Sequence, residues 1–306
     1  MESTTRDIIK ERIRSKKEIH FQGFVNFLYT KCYGSTRFTT IKQKRDGGSD
    51  GVLDGNTILA VYGPNQLDLN KFKKKLGKSG NAKEPGDFEK YEKNFSDKYP
   101  NWQVVYNNEM TTSRVEYLRE LKSDVILVGV DDLVELISVQ NYADIEAIGK
   151  WLEIKNSLIS NDLLYEVVIG MLRLEEDTSV QISSFIESAI DPQEKIEINF
   201  SGEEIDRVTE ELIDGMKYFG ALDTMFKGKS DKVNILKKKV RDALEDYNDT
   251  LYNSLKKYEK RAAETSNKTS DDKYKYYLRC VLLYLFERCY IGKKTLAEKK
   301  KNALSK

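Results

Sequence analysis

Histidine is almost absent from this sequence, and proline and cysteine are scarce. The single histidine, His20, argues against a Ser-His-Asp triad and against a histidine-rich zinc site. The three cysteines form no CxxC pair, which favours a reducing, intracellular setting over a disulfide framework. Only 4 of the 306 residues are proline, so collagen-like repeats and proline-rich linkers are excluded as well.

Long apolar runs are also missing. The longest one near the end of the sequence, Cys280–Phe286, is far short of the roughly 20 residues that cross a bilayer. The first residues carry charges where a signal peptide requires an apolar stretch. We therefore expect a cytoplasmic protein without a membrane partner.

Charge is abundant but unevenly distributed along the chain. Residues 1–100 carry 20 Lys and Arg against 13 Asp and Glu, residues 101–230 carry 11 against 26, and residues 231–306 carry 20 against 11. A basic first third suits a polyanion such as DNA, and an acidic middle suits a basic protein surface. Charged helices that only solvate their outer faces explain the same pattern equally well.

The first half of the chain alternates between helical and extended patterns. Apolar residues recur with a helical period from Phe21 to Cys32, and strand-like runs follow at 57–62, 101–106 and 124–130. The last run is apolar at nearly every position, which predicts a strand buried on both faces. We expect an α/β domain at residues 1–145, with a mixed sheet flanked by helices.

The second half of the chain shows almost only helical patterns. An apolar seam with spacings of three and four residues runs from Val233 to Tyr258 and predicts one long helix. We expect residues 146–306 to form an all-α domain for docking or oligomerisation. At 306 residues the chain is long enough for two such domains.

A glycine-rich turn at residues 45–51 carries two carboxylates, Asp46 and Asp50. Two acidic side chains at the head of a strand can direct oxygens at one Mg²⁺ ion, which needs few protein ligands because it keeps waters and takes phosphate oxygens. Such an ion polarises a phosphodiester and lowers the pKa of a bound water. An ordinary turn is the alternative, since Asp-Gly is a common turn pair.

Four segments carry a resemblance to a known family: Phe21-Gln22 with Phe24, residues 45–51, Val61–Pro64 and Asn101–Asn107. Over about residues 18–130, these sequence motifs and the order of elements resemble the restriction-endonuclease-like PD-(D/E)xK superfamily, in particular its Mrr-like branch. The same motifs are also similar to those of nuclease-like proteins of bacterial anti-phage defence cassettes, including ABC-three-component and Lamassu-type systems.

The resemblance implies a Mg²⁺-dependent endonuclease that cuts DNA beside an SMC-like or ABC ATPase subunit. Asp50 matches the metal-binding aspartate, and Gln22 falls where many members keep a helix glutamate. The next strand, Leu59–Gly63, lacks the expected acid and lysine. Lysines that can reach the same space are Lys42 and Lys44 on the preceding strand and Lys71 on the following helix.

Two classes of function follow from these residues. The first is a catalytic effector that uses Asp50, Asp46, Gln22 and Lys44, with Asp50 and Asp46 as metal ligands. The second is a catalytically inactive nuclease-fold subunit that binds DNA or holds a complex together, as a partner of the ATPase or of further copies of itself. Under both, the expected DNA contacts are Lys42, Arg45, Lys73, Lys74 and Lys75. The missing strand lysine favours the second class, and the retained Asp46 and Asp50 favour the first.

Overall fold

The chain divides into two units by its internal contacts, as seen in a computed structural model. The first unit comprises residues 1–140 and 144–159, and the second, called here the helical unit, comprises residues 141–143 and 160–306. The structure describes residues 3–41, 49–79, 81, 84–174, 192–227, 230–288 and 290–293, without the side chains of 230–233.

The first unit is built on a five-stranded sheet with the strand order β1-β2-β3-β4-β5. Strands β1, β2 and β3 pair antiparallel, whereas β4 pairs parallel with β3, and β5 parallel with β4. The predicted mixed sheet with flanking helices is thereby confirmed. In chain order the elements are α1 (Ser3–Ser15), α2 (Glu18–Arg37), β1 (Phe38–Thr40), β2 (Gly51–Leu53), β3 (Thr57–Tyr62), α3 (Leu69–Leu76), α4 (Asp87–Asn94), β4 (Asn101–Tyr106), α5 (Thr112–Leu121), β5 (Ile126–Val128), α6 (Val130–Ser138) and α7 (Tyr142–Trp151).

The two faces of the sheet are covered by different helices. One face packs on α3, α4 and α5, and this core contains Ile58, Ala60, Phe72, Leu76, Phe88, Tyr91, Trp102, Val104, Tyr106, Leu118 and Val125. On the other face Gln103 Nε2 donates to Tyr29 Oη of α2 at 2.9 Å. Burying a side chain such as Phe72 contributes about 1.5–3 kcal/mol. Sheet and helices therefore hold the ends of β3 and α2 in fixed positions.

Strand β5 differs from its prediction. It spans three residues at the edge of the sheet, and the Ile126 side chain is 41% exposed, so the expectation of a strand buried on both faces is wrong. The physical reason is the place of β5 at the edge of the sheet. Among the described strands it pairs only with β4, and the helices that cover the sheet leave Ile126 exposed there. Apolar runs of this length are common to edge and central strands, and periodicity does not separate the two.

The helical unit confirms the predicted change to helices. The helices from residue 156 onward are α8 (Asn156–Leu174), α9 (Pro192–Asn199), α10 (Glu203–Gly215), α11 (Phe219–Lys227), α12 (Ser230–Asp246), α13 (Leu251–Thr265) and α14 (Asp272–Glu287). Every side chain from Tyr277 to Phe286 is buried, which makes α14 the centre of this unit. Among the described helices, none combines the length and the apolar content that a bilayer-spanning segment requires. The domain boundary expected at residues 145 and 146 falls within α7.

The apolar seam from Val233 to Tyr258 is divided between two helices, so the prediction of one long helix is wrong. The chain turns between α12 and α13, where Asn248 has a φ of 45°. Thr250 caps α13 by accepting the Asn253 N–H at 3.3 Å. Asp249 is held by the Lys257 ammonium, the Asn253 amide and the Thr250 N–H, which lower its pKa to about 2.

Candidate functional site

Asp50 lies directly before β2, where its carboxylate is fixed by two other elements. Gln22 Nε2 of α2 donates to Asp50 Oδ1, and the Val61 N–H of β3 donates to Asp50 Oδ2 at 2.6 Å. The Asp50 backbone N–H donates to Leu59 O at 2.8 Å, which extends the pairing of β2 with β3. The sequence prediction placed Asp50 and Gln22 in one site, and the structure brings them into direct contact. A carboxylate oxygen has two acceptor positions, so one hydrogen bond to each oxygen does not by itself fill them.

A cleft of about 770 Å³ opens in front of Asp50. It is bounded by the start of α2, the end of β3, the loop after β3 and one side of α3. Its lining residues are Glu18, Gln22, Asp50, Val61, Tyr62, Gly63, Pro64, Asn65, Gln66, Lys71 and Lys75. The cleft therefore combines carboxylate, amide and ammonium groups in one concave surface.

Glu18 is a cleft residue that sequence reasoning missed. It lies one helical turn before Gln22, so both side chains project from the same face of α2. Its φ of 45° is in the left-handed region, and its N–H donates to Gly63 O at 2.6 Å. Asn65 Nδ2 donates to the Glu18 carboxylate. The i, i+4 spacing of Glu18 and Gln22 was the available signal in the sequence.

Gly63, the residue that follows β3, lies close to α2. A Cβ atom at this position would lie 2.7 Å from the Phe21 Cβ of α2, closer than a normal contact. Phe21 is itself completely buried, so it has no free space to move into. The close approach of α2 therefore disfavours any side chain at position 63.

Helix α3 supplies the ammonium groups that β3 lacks. Asp68 caps this helix by accepting the Lys71 N–H at 2.8 Å. Lys71 Nζ donates to Gln66 Oε1 at 3.0 Å, and Lys75 Nζ donates to Asp87 Oδ1 at 2.7 Å. Lys71 was one of the predicted substitutes for the strand lysine, whereas Lys75 was predicted only as a DNA contact.

The run Lys73-Lys74-Lys75 does not act as one group. Lys73 Nζ lies 4.9 Å from the centroid of the Tyr117 ring, and the Lys73 carbonyl accepts the Tyr117 hydroxyl at 3.1 Å. Successive helical residues are rotated by about 100°. Lys74 and Lys75 consequently line a second cavity, and Lys73 lies outside its lining.

This second cavity, called here the lysine cavity, measures about 560 Å³ and is lined by Tyr62, Lys71, Lys74, Lys75, Glu84, Pro85 and Lys90. It shares three residues with the Asp50 cleft: Tyr62, Lys71 and Lys75. The half-buried Tyr62 ring stacks on Tyr106 with centroids 6.0 Å apart. Burial raises the pKa of the Tyr62 hydroxyl above its ordinary value, so this group stays neutral.

The remaining predicted site residues, Lys42, Lys44, Arg45 and Asp46, lie outside the described residues. Of the two predicted metal ligands, the structure therefore describes Asp50 alone. Within the described ranges, no group of three or more His, Cys, Asp or Glu side chains is arranged to hold a metal ion.

Comparisons of the chain with protein-family models, with curated proteins and with solved structures gave no significant match. The functional interpretation therefore depends on the chemistry of the Asp50 cleft and the lysine cavity. Both belong to the first unit, and both are formed around the ends of α2, β3 and α3.

Proposed function

We propose that this chain is a metal-dependent DNA endonuclease with a restriction-endonuclease-like first unit, acting in an anti-phage defence complex. The observation that carries the proposal is the Asp50 carboxylate, oriented by Gln22 and Val61 at the head of a cleft that also contains lysines. The order of elements supports it. Helix α2 precedes the strands of a mixed sheet in which β1, β2 and β3 pair antiparallel and β4 pairs parallel with β3.

The donor set in the cleft fits Mg²⁺. Asp50 and Glu18 contribute carboxylates and Gln22 contributes an amide, all hard oxygen ligands that line one cleft. Mg²⁺ in phosphate-handling sites is held by one or two carboxylates, with waters and phosphate oxygens completing its shell. When bound, the ion would supply Lewis acidity toward the phosphodiester.

The protein's own side chains have separate roles in this proposal. Gln22 and the Val61 N–H keep the Asp50 carboxylate in one orientation. Lys71 and Lys75 take the place of the strand lysine and offset negative charge on the reacting phosphate. Loss of one such electrostatic group lowers the rate by about 100-fold or more.

The helical unit is the proposed docking region for an SMC-like or ABC ATPase subunit, or for further copies of this chain. The chemical basis is the acidic start of this unit, because residues 160–230 carry 16 Asp and Glu against 6 Lys and Arg, and such a net negative charge suits a basic protein surface. The identity of the partner rests on the sequence resemblance.

A catalytically inactive DNA-binding or scaffold subunit is the second candidate. Two observations favour it: the segment Leu59–Gly63 carries no lysine, and both Asp50 oxygens already accept hydrogen bonds. In this case the cleft binds nucleic acid without cleaving it.

Plasmid cleavage with Mg²⁺, in the presence of the ATPase subunit, separates the two candidates. Asp50→Asn removes the charge but keeps the shape, so we expect cleavage to fall by about 100-fold or more, and chelation by EDTA to abolish it. The matched control is Asp54→Asn in the β2–β3 turn, whose exposed carboxylate pairs with Arg37 at 2.7 and 3.0 Å outside the cleft. Wild-type cleavage by Asp50→Asn contradicts the catalytic site, and DNA binding without any cleavage supports the scaffold.

A further inference from the structure

The Asp50 cleft and the lysine cavity form one continuous concave surface. Tyr62, Lys71 and Lys75 line both openings, so a ligand that extends from the lysine cavity to Asp50 passes next to the Tyr62 ring. Each opening is several hundred Å³ in volume, which suits a nucleotide unit entering it. Intact duplex DNA presents a convex phosphate ridge and keeps its bases inside the helix.

The charge of the lysine cavity selects for phosphate. Four ammonium groups line it, from Lys71, Lys74, Lys75 and Lys90, against the single carboxylate of Glu84. Asp87 is 3% exposed and holds Lys75 Nζ at 2.7 Å and Lys90 Nζ at 3.7 Å, which fixes both lysines in place. Lys74 is exposed and makes no ion pair with any described residue, so its charge is available to a ligand.

The Tyr62 ring adds a stacking surface next to these charges. Tyr106 stacks against it with an interplanar angle of 17°, and Phe72 meets it edge-on with centroids 6.0 Å apart. The ring is thus held rigidly from behind while part of it remains exposed to both openings. A fixed aromatic ring beside a row of cationic groups is the arrangement that binds unpaired nucleobases together with their backbone phosphates.

We propose that this surface takes single-stranded nucleic acid, or a splayed strand end, with a base stacked on Tyr62 and its phosphates on Lys74 and Lys90. This inference rests on the nuclease proposal and specifies its substrate class. A base in duplex DNA is stacked on its neighbours and is not available to Tyr62. A strand whose bases are free can place one base in the lysine cavity and the next phosphate at Asp50.

Fluorescence anisotropy with EDTA present tests the proposal on the full chain without cleavage. The probes are a fluorescein-labelled single-stranded oligonucleotide and the blunt duplex of the same sequence. We expect the single strand to bind about tenfold or more tightly than the duplex, because only its bases can stack on Tyr62. Tyr62→Leu should weaken single-strand binding by about 5- to 100-fold, whereas Tyr62→Phe keeps the ring and should bind like the wild type.

A lysine pair supplies a control that does not depend on the folding of a core variant. Lys74→Ala should weaken binding and reduce the slope of log affinity against log salt by about one. Lys73→Ala removes the same charge one residue earlier, beside Tyr117, and should change neither quantity as much. Equal binding of duplex and single strand, unaffected by Tyr62→Leu and Lys74→Ala, overturns the proposal.

The two proposals fail in different ways. If Mg²⁺-dependent cleavage requires Asp50 but Tyr62→Leu binds single strands like the wild type, the substrate class is wrong and the nuclease stands. If single strands bind through Tyr62 and Lys74 but Asp50→Asn cleaves like the wild type, the substrate class stands and the catalytic site is wrong.

Discussion

Gly63, directly after β3, lies in close contact with Phe21 of α2. A Gly63→Ala substitution places a methyl group 2.7 Å from the Phe21 Cβ. Each of these two carbons is bonded directly to a Cα atom, so they can move apart only if the backbone moves. We expect a loss of about 1–3 kcal/mol in the free energy of unfolding. Urea denaturation, monitored by circular dichroism, measures this loss.

Gly23→Ala is the matched control for Gly63→Ala. A Cβ there would lie 3.8 Å from Trp151 Cζ2, an ordinary contact, and Gly23 is inside α2. Alanine is the better helix former by about 1 kcal/mol, so this variant should be as stable as the wild type or more stable. Equal destabilisation by both substitutions would show that the contact with Phe21 is not the cause.

Part of the candidate site was predictable at the scale of single residues. Asp50 stands out in a glycine-rich turn, and Gln22 stands out on an amphipathic helix, because both signals are local in sequence. The role of Lys75 was not predictable, since its partner Asp87 follows 12 residues later and the contact exists only after α3 and α4 pack. The need for glycine at position 63 was likewise not predictable, because it depends on contact with Phe21, which lies far away in the chain.

At the scale of elements, Thr250 is the N-cap residue that stabilises the start of α13. Its hydroxyl satisfies the Asn253 N–H, one of the backbone groups that a helix leaves unpaired at its start. Thr250→Ala should therefore lower the free energy of unfolding by about 1 kcal/mol, and Thr250→Ser should keep most of it. Thermal unfolding of the two variants, side by side, measures the difference. An alanine variant as stable as the serine variant contradicts the role of the hydroxyl.

The elements that the sequence predicted well are the long or strongly periodic ones. Strands β3 and β4 each extend over six residues, and α14 is apolar over several turns, so their patterns are unambiguous. Strands β2 and β5 contain three residues each, too few for a period to be recognised. The division between α12 and α13 was missed because the apolar spacing continues across it, although Asn248-Asp249-Thr250 is a turn and capping signal.

At the scale of the whole molecule, the segment after residue 145 matters for the first unit. Trp151 packs with its ring centroid 5.2 Å from that of Phe24 and 6.2 Å from that of Phe27, and Ile148 and Leu152 are fully buried. Truncating one buried isoleucine or leucine to alanine costs about 2–5 kcal/mol. We therefore expect a fragment of residues 1–159 to unfold cooperatively, and a fragment of residues 1–145 to lack a cooperative transition.

Calorimetry of the two fragments checks this expectation. The control is the full chain, whose transitions show the temperature at which the first unit unfolds when the helical unit is present. A cooperative transition in the shorter fragment, at the temperature of the longer one, would show that residues 146–159 add little to the first unit.

The positions of the two tryptophans have a spectroscopic consequence. Trp102 lies at the centre of the sheet core and Trp151 lies against α2, so both belong to the first unit, and the helical unit contains tyrosines as its largest chromophores. Emission excited in the red edge of the indole band therefore reports on the first unit alone. Ellipticity at the amide band reports on every helix of the chain. If the two units unfold at different denaturant concentrations, the part of the ellipticity change that occurs without a change in emission belongs to the helical unit, and it is obtained without a label.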